Sequence, residues 1–152
     1  MSESGSPSRA KRPEFRNINA FTDLPGYRLP LAGLVSILHR ISGALMFLLL
    51  PFIIWMFDAS VSSEISFARF TSVFRDGIGK APGWIVPGWF MKLIVLALMW
   101  AFLHHLIAGL RHLWMDVNHT VSKEFGRRSA AVTLVLSIGL TLVLGAKLFG
   151  VY

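Results

Sequence analysis

The sequence predicts an all-α membrane protein whose three transmembrane helices form part of a larger multi-subunit helix bundle. Composition is the first reason: hydrophobic residues make up 54% of the 152 positions and charged residues 15%, whereas a soluble domain carries about a quarter charged residues. The second reason is distribution. The apolar residues fall in three long blocks, each sufficient for the roughly 20 residues that a helix needs to cross the hydrocarbon core. The third is where the charges lie. The net charge of +7 sits in the segments flanking those blocks, a pattern of membrane topology and not of a nucleic-acid-binding domain.

The elements follow in chain order. Residues 1–29 form a polar N-terminal arm, rich in serine and carrying Arg9, Lys11, Arg12 and Arg16. No apolar core follows these directly, so the arm is not expected to be a cleavable signal. Glu3, Pro7, Pro13 and Glu14 spoil a mitochondrial presequence, which is amphipathic and poor in acids. A bacterial inner membrane is therefore the expected location, with a mitochondrial inner membrane as the alternative. The transmembrane domain covers residues 30–152. Its first helix is expected at about 31–57, with Pro30 where a helix can begin. The segment from Asp58 to Pro87 is too polar to span and reads as a connector. It holds a short interfacial helix around Ile65 to Phe74 and then a Gly/Pro-rich turn from Gly77 to Gly88.

The second helix is expected at about 88–115, bounded by Trp84 and Trp89 at one end and Trp114 at the other, as interfacial aromatics are. The third is expected at about 129–149, uncharged until Lys147; its Ser137, Gly139, Thr141 and Gly145 are small residues suited to close helix packing. Nine basic residues fall on the side of the arm and of the connection between the second and third helices, and five on the other. That asymmetry puts the N-terminus in the cytoplasm. Cysteine is absent, which excludes disulfides, covalent c-type haem and iron–sulfur clusters held by this chain.

Two places interrupt the apolar pattern. Between Leu31 and Phe57 the only ionisable side chains are His39 and Arg40. A charge at bilayer depth costs about 2.5–3.5 kcal/mol even on the lenient insertion scale. Ser36 and Arg40 are i, i+4 neighbours on one face. A hydroxyl beside a guanidinium near the membrane edge suits the carbonyl oxygen of a lipophilic quinone: serine donates to the ground-state carbonyl and arginine stabilises the charge that grows on reduction. The competing reading makes Arg40 a topology anchor or the partner of a carboxylate.

In the second block, His105, Gly109 and His112 are spaced i, i+4 and i+7 and line one face. An imidazole with a glycine one turn away suits a flat macrocycle, since the histidine reaches the iron and the glycine leaves room for the ring. His112 lies about 10.5 Å along the axis from His105, too far to share the iron but suitable for a haem propionate. His104 points about 100° away around the helix and is the weaker ligand candidate. His119 is expected to be an ordinary solvated histidine past the membrane end. The competing reading has all these histidines bonding neighbouring helices.

Taken together, Tyr27-Arg28-Leu29-Pro30, Ser36-Ile-Leu-His39-Arg40-Ile-Ser42-Gly43 and His105-x-x-x-Gly109-x-Arg111-His112-x-x-x-Asp116 resemble the cytochrome b556 membrane-anchor subunits of succinate dehydrogenase (respiratory complex II). The likeness covers about residues 12–128, and the pair of histidine motifs is specific where either alone is weak. The resemblance implies that His105 is an axial ligand of haem b, that Ser36 and Arg40 line the ubiquinone site, and that His39, Arg40 and His112 lie near the haem propionates. It further implies a second small membrane-anchor subunit that supplies the other axial histidine, and an iron–sulfur subunit and a flavoprotein subunit docked on the cytoplasmic face. The expected function is a haem b-binding anchor of succinate:ubiquinone oxidoreductase. The alternatives are an anchor of quinol:fumarate reductase, a haem-free structural anchor, or a self-contained b-type cytochrome with His39 and His105 on one iron.

Overall fold

The computed structural model describes residues 19, 21–23, 26–79, 86–120 and 122–151. Arg9, Lys11, Arg12 and Arg16 of the arm, and Lys80 and Trp84 of the connector, lie outside them. The described residues form five helices: α1 (Leu31–Leu48), α2 (Leu50–Val61), α3 (Glu64–Asp76), α4 (Gly88–Asn118) and α5 (Lys123–Leu148). Of these, α1, α4 and α5 are long and apolar enough to cross a membrane.

The first apolar block is thus two helices where the sequence suggested one. Pro51 is the cause. It has no N–H for the carbonyl four residues back, at Phe47, and its ring crowds that carbonyl. The chain steps out of helical geometry at Leu49 (φ −92°, ψ 8°) and restarts with Pro51 in the first turn of α2. Beyond it, α3 begins at Ser63, whose hydroxyl accepts from the Ser66 N–H while the Ser66 hydroxyl accepts from the Ser63 N–H. This reciprocal cap satisfies two amide donors that the first turn leaves free. Gly77 ends the helix at φ +88°, a left-handed conformation that costs glycine little. Ile78 and Val86 then pair through two 2.8 Å backbone hydrogen bonds. Phe70 ties α3 down, meeting Trp55 of α2 and Phe74 of its own helix ring to ring.

With 31 residues, α4 is about 46 Å long, more than the roughly 30 Å hydrocarbon core. It stops at His119, an exposed residue with left-handed backbone (φ 50°). Helix α5 starts six residues before the apolar block does, because Ser122 caps it by accepting from the Phe125 N–H and Arg128 bonds Glu124 at 2.7 Å. A polar, solvated first turn can be helical without being apolar.

Helices α1, α4 and α5 pack mutually, while α3 packs on α4 and α2 packs on α3. The α5 face turned inward is Gly126, Ala130, Thr133, Ser137, Thr141 and Gly145. These small side chains at three- and four-residue spacing let the backbones approach, which is how helices associate where lipid removes the hydrophobic drive. Gly139 is not among them. It is exposed, and a Cβ there would meet nothing within 4 Å. The seam is polar as well as small: Ser42, His104, Arg111, Thr133, Ser137 and Thr141 are all buried. Thr133 and Thr141 satisfy their hydroxyls on carbonyls one turn back, at 3.0 and 2.7 Å.

Candidate functional site

Residues Val35, His39 and Ser42 are spaced four and three apart, so they share one face of α1, and that face meets α4. The facing stripe on α4 is His105, Gly109 and His112. The His39 ring lies flat on the His105 ring, with centroids 4.0 Å apart and planes 16° from parallel. It meets His112 at 5.4 Å with a tilt of 56°. A Cβ at Gly109 would lie 3.7 Å from His39 Nε2, an ordinary van der Waals contact. The structure therefore gathers His39, His105 and His112 in one place between α1 and α4.

His105 is held by one of its two nitrogens. Its Nδ1–H donates to the His39 carbonyl at 3.0 Å, and the Ser42 hydroxyl lies 3.3 Å from the same nitrogen. Ser42 Oγ also donates to the His39 carbonyl at 2.8 Å. Holding the proton on Nδ1 leaves the lone pair on Nε2, and among the described residues no hydrogen bond engages Nε2. A carbonyl on one imidazole nitrogen and a free lone pair on the other is the usual dress of a metal-ligating histidine. Gly43 makes room for the ring, because a Cβ at that position would sit 2.9 Å from His105 Cε1. The donor and its cradle therefore fit a haem iron approached from Nε2.

Ser36 and Arg40 lie on the flank of α1, away from this cluster. Arg40 is exposed and Ser36 half-buried, and among the described residues neither side chain makes a hydrogen bond or an ion pair. Arg40 therefore does not reach the three histidines within this chain. At bilayer depth an exposed guanidinium calls for a partner, and none is found among the described residues.

His104 goes the other way. It is wholly buried, stacks on Trp100 and bonds Ser137 of α5 through Nδ1 at 3.2 Å. Arg111 is also turned inward: its Nε donates to Ser129 Oγ at 2.9 Å and Nη2 to the Gly126 carbonyl at 3.3 Å. It clasps the end of α4 to the start of α5. From sequence it counts only as an interfacial charge. Ser42 and Gly43 are the other residues whose part was not read from spacing, although they form a small pair on the turn after His39. That pairing, a hydroxyl and a gap one turn from an intramembrane histidine, is the signal that could have exposed them.

Residues 12–144 match the family model described as "Succinate dehydrogenase/Fumarate reductase transmembrane subunit". Curated proteins named succinate dehydrogenase cytochrome b556 subunit are similar over most of their length. The protein from Paracoccus denitrificans is 32% identical over 117 residues, 77% of this chain and 81% of that one. That from Coxiella burnetii is 35% identical over 115 residues, 76% and 83% of the two chains. That from Rickettsia felis is 25% identical over 120 residues, 78% and 82%.

Proposed function

The chain belongs to the succinate dehydrogenase/fumarate reductase transmembrane-subunit family, as a membrane-anchor subunit of succinate dehydrogenase, and on that premise we propose that it holds haem b through His105 and builds part of the ubiquinone-reducing site with Ser36 and Arg40. The observation that carries the haem assignment is the 3.0 Å bond from His105 Nδ1 to the His39 carbonyl. It orients the ring and leaves Nε2 as the ligating atom. When bound, haem b supplies a one-electron store beside the quinone site. His39, Arg40 and His112 serve its propionate edge as hydrogen-bond donors.

A second histidine to hold the haem would come from a second small membrane-anchor subunit. Within this chain the His39 and His105 rings lie face to face at 4.0 Å, so their nitrogens do not aim at a common point between them. That arrangement speaks against a self-contained cytochrome built on this pair. At the quinone, Ser36 donates to a carbonyl oxygen, and Arg40 stabilises the negative charge that develops as electrons arrive. That neither side chain has a partner among the described residues supports that role. The iron–sulfur subunit delivers the electrons, taken from succinate by the flavoprotein subunit. Both dock on the cytoplasmic face of a bacterial inner membrane, where the N-terminal arm also lies.

Two measurements test this reading. A reduced-minus-oxidised spectrum of the purified complex is expected to show a b-type band; its absence from the wild-type complex would make this chain a haem-free anchor. In the second, Ser36→Ala and Arg40→Ala are assayed with ubiquinone and with an artificial soluble acceptor. Quinone reduction is expected to fall, by about 10²-fold for the guanidinium, with succinate oxidation by the soluble acceptor retained. Equal loss of both activities would point to failed assembly and remove the assignment.

A further inference from the structure

We propose that Ser42 is a positioning residue that raises the redox potential of the haem ligated by His105, by sharing the carbonyl on which that ligand depends. The proposal rests on the reading of His105 as the axial ligand. Ser42 is completely buried and faces the turn of α4 that carries His105. Its hydroxyl donates to the His39 carbonyl at 2.8 Å, and His105 Nδ1–H donates to the same oxygen at 3.0 Å. As an interior residue of α1, His39 also offers that oxygen to the Gly43 N–H in the helix ladder. One carbonyl thus receives three donors where its lone pairs provide for two.

The chemistry follows from that crowding. A hydrogen bond from Nδ1–H to a strong acceptor makes the imidazole more basic at Nε2 and gives it more imidazolate character, which favours the oxidised iron. Ser42 takes up part of the acceptor strength of the His39 oxygen. Its own oxygen, at 3.3 Å from Nδ1, is a long and poor substitute acceptor. The His105 ring therefore keeps less imidazolate character than a free carbonyl would confer, and the potential lies higher than it otherwise would. No proton leaves Nδ1 in this account; only the strength of its hydrogen bond changes.

A merely structural serine would not act this way, and Ser137 provides the comparison. It is another buried hydroxyl bonded to a histidine, at 3.2 Å from His104 Nδ1, but on the side of α4 away from His105. The experiment is a redox titration of haem absorbance in the whole purified complex for Ser42→Ala, Ser42→Cys and Ser137→Ala. Ser42→Ala is expected to keep its haem and titrate at a lower potential than wild type. Ser42→Cys, nearly isosteric and a weaker donor, is expected between the two, and it decides the matter alone if the alanine variant fails to assemble. Ser137→Ala is expected at the wild-type potential. Unmoved potentials in the Ser42 variants, or an equal shift in Ser137→Ala, would overturn the proposal while leaving the His105 assignment standing. Loss of the ligand assignment itself would show separately, as a wild-type complex with no b-type band.

Discussion

His104 and His105 are neighbours in sequence and serve opposite sides of α4. A step of about 100° per residue sends one ring to Ser137 of α5 and the other to the His39 carbonyl of α1. The sequence sets them apart by the spacing of His105 to Gly109 and His112, and the structure turns their rings to different helices, with His104 as a pin to α5. Their alanine variants are therefore expected to differ in kind. His105→Ala loses or loosens the haem, read as the amplitude of the b-type band. His104→Ala keeps the band but loses an interhelical hydrogen bond, about 0.6–2 kcal/mol in membranes, read as a lower thermal midpoint of the complex. The opposite pattern would reassign the ligand. Arg40 differs from both. Its oddity is legible in sequence because a charge stands out in an apolar block, but what answers that charge is not among the described residues.

At the scale of the element, hydropathy located all three membrane-crossing helices and tertiary packing decided which of their faces matter. The break at Leu49 was present in the sequence as Pro51, yet a continuous apolar run conceals it, because hydropathy does not register a missing N–H. The small-residue stripe on α5 was half legible. Ser137, Thr141 and Gly145 pack inward while Gly139 faces out, since a glycine two residues after Ser137 falls about 200° around the helix. Gly43 carries the sharpest expectation at this scale. In Gly43→Ala the new methyl would press on His105 Cε1, a ring already fixed through Nδ1. Overpacking of this kind costs about 1–3 kcal/mol, and the expected result is weakened haem retention together with closer-to-normal assembly of the apo complex. Wild-type haem content in that variant would show that the helices can separate freely at this crossing.

The whole molecule is a bundle with little interior. Large apolar side chains such as Phe47, Leu48, Val135 and Leu142 point outward, as they do when lipid and partner helices take the place of a core. The polar groups are instead gathered inside, and Arg111 closes one end by joining α4 to α5. The proposed haem site fits this design, since His105 is bonded through Nδ1 and the proposal leaves its second ligand to another subunit. Expressed without its partner subunits, the chain is expected to insert in the membrane and to hold far less than one haem per polypeptide. Stoichiometric bis-histidine haem in the isolated chain would instead establish a self-contained cytochrome. Reporter fusions give a second check at this scale: one joined to the N-terminal arm is expected to report cytoplasm, and one joined after α5 the opposite side.

What the sequence determined by itself was the class, the three spans and the list of chemically unusual residues. Each of these depends on composition and on periodicity along one helix, which are local properties of the chain. What only the tertiary structure decided was which nitrogen of His105 is committed, that the His39 backbone and not its ring holds it, and that Ser42 shares the same oxygen. Those facts depend on the rotation and depth of α1 against α4. Small residues at the crossing set that approach to within a few tenths of an ångström, and no pattern along a single helix encodes it.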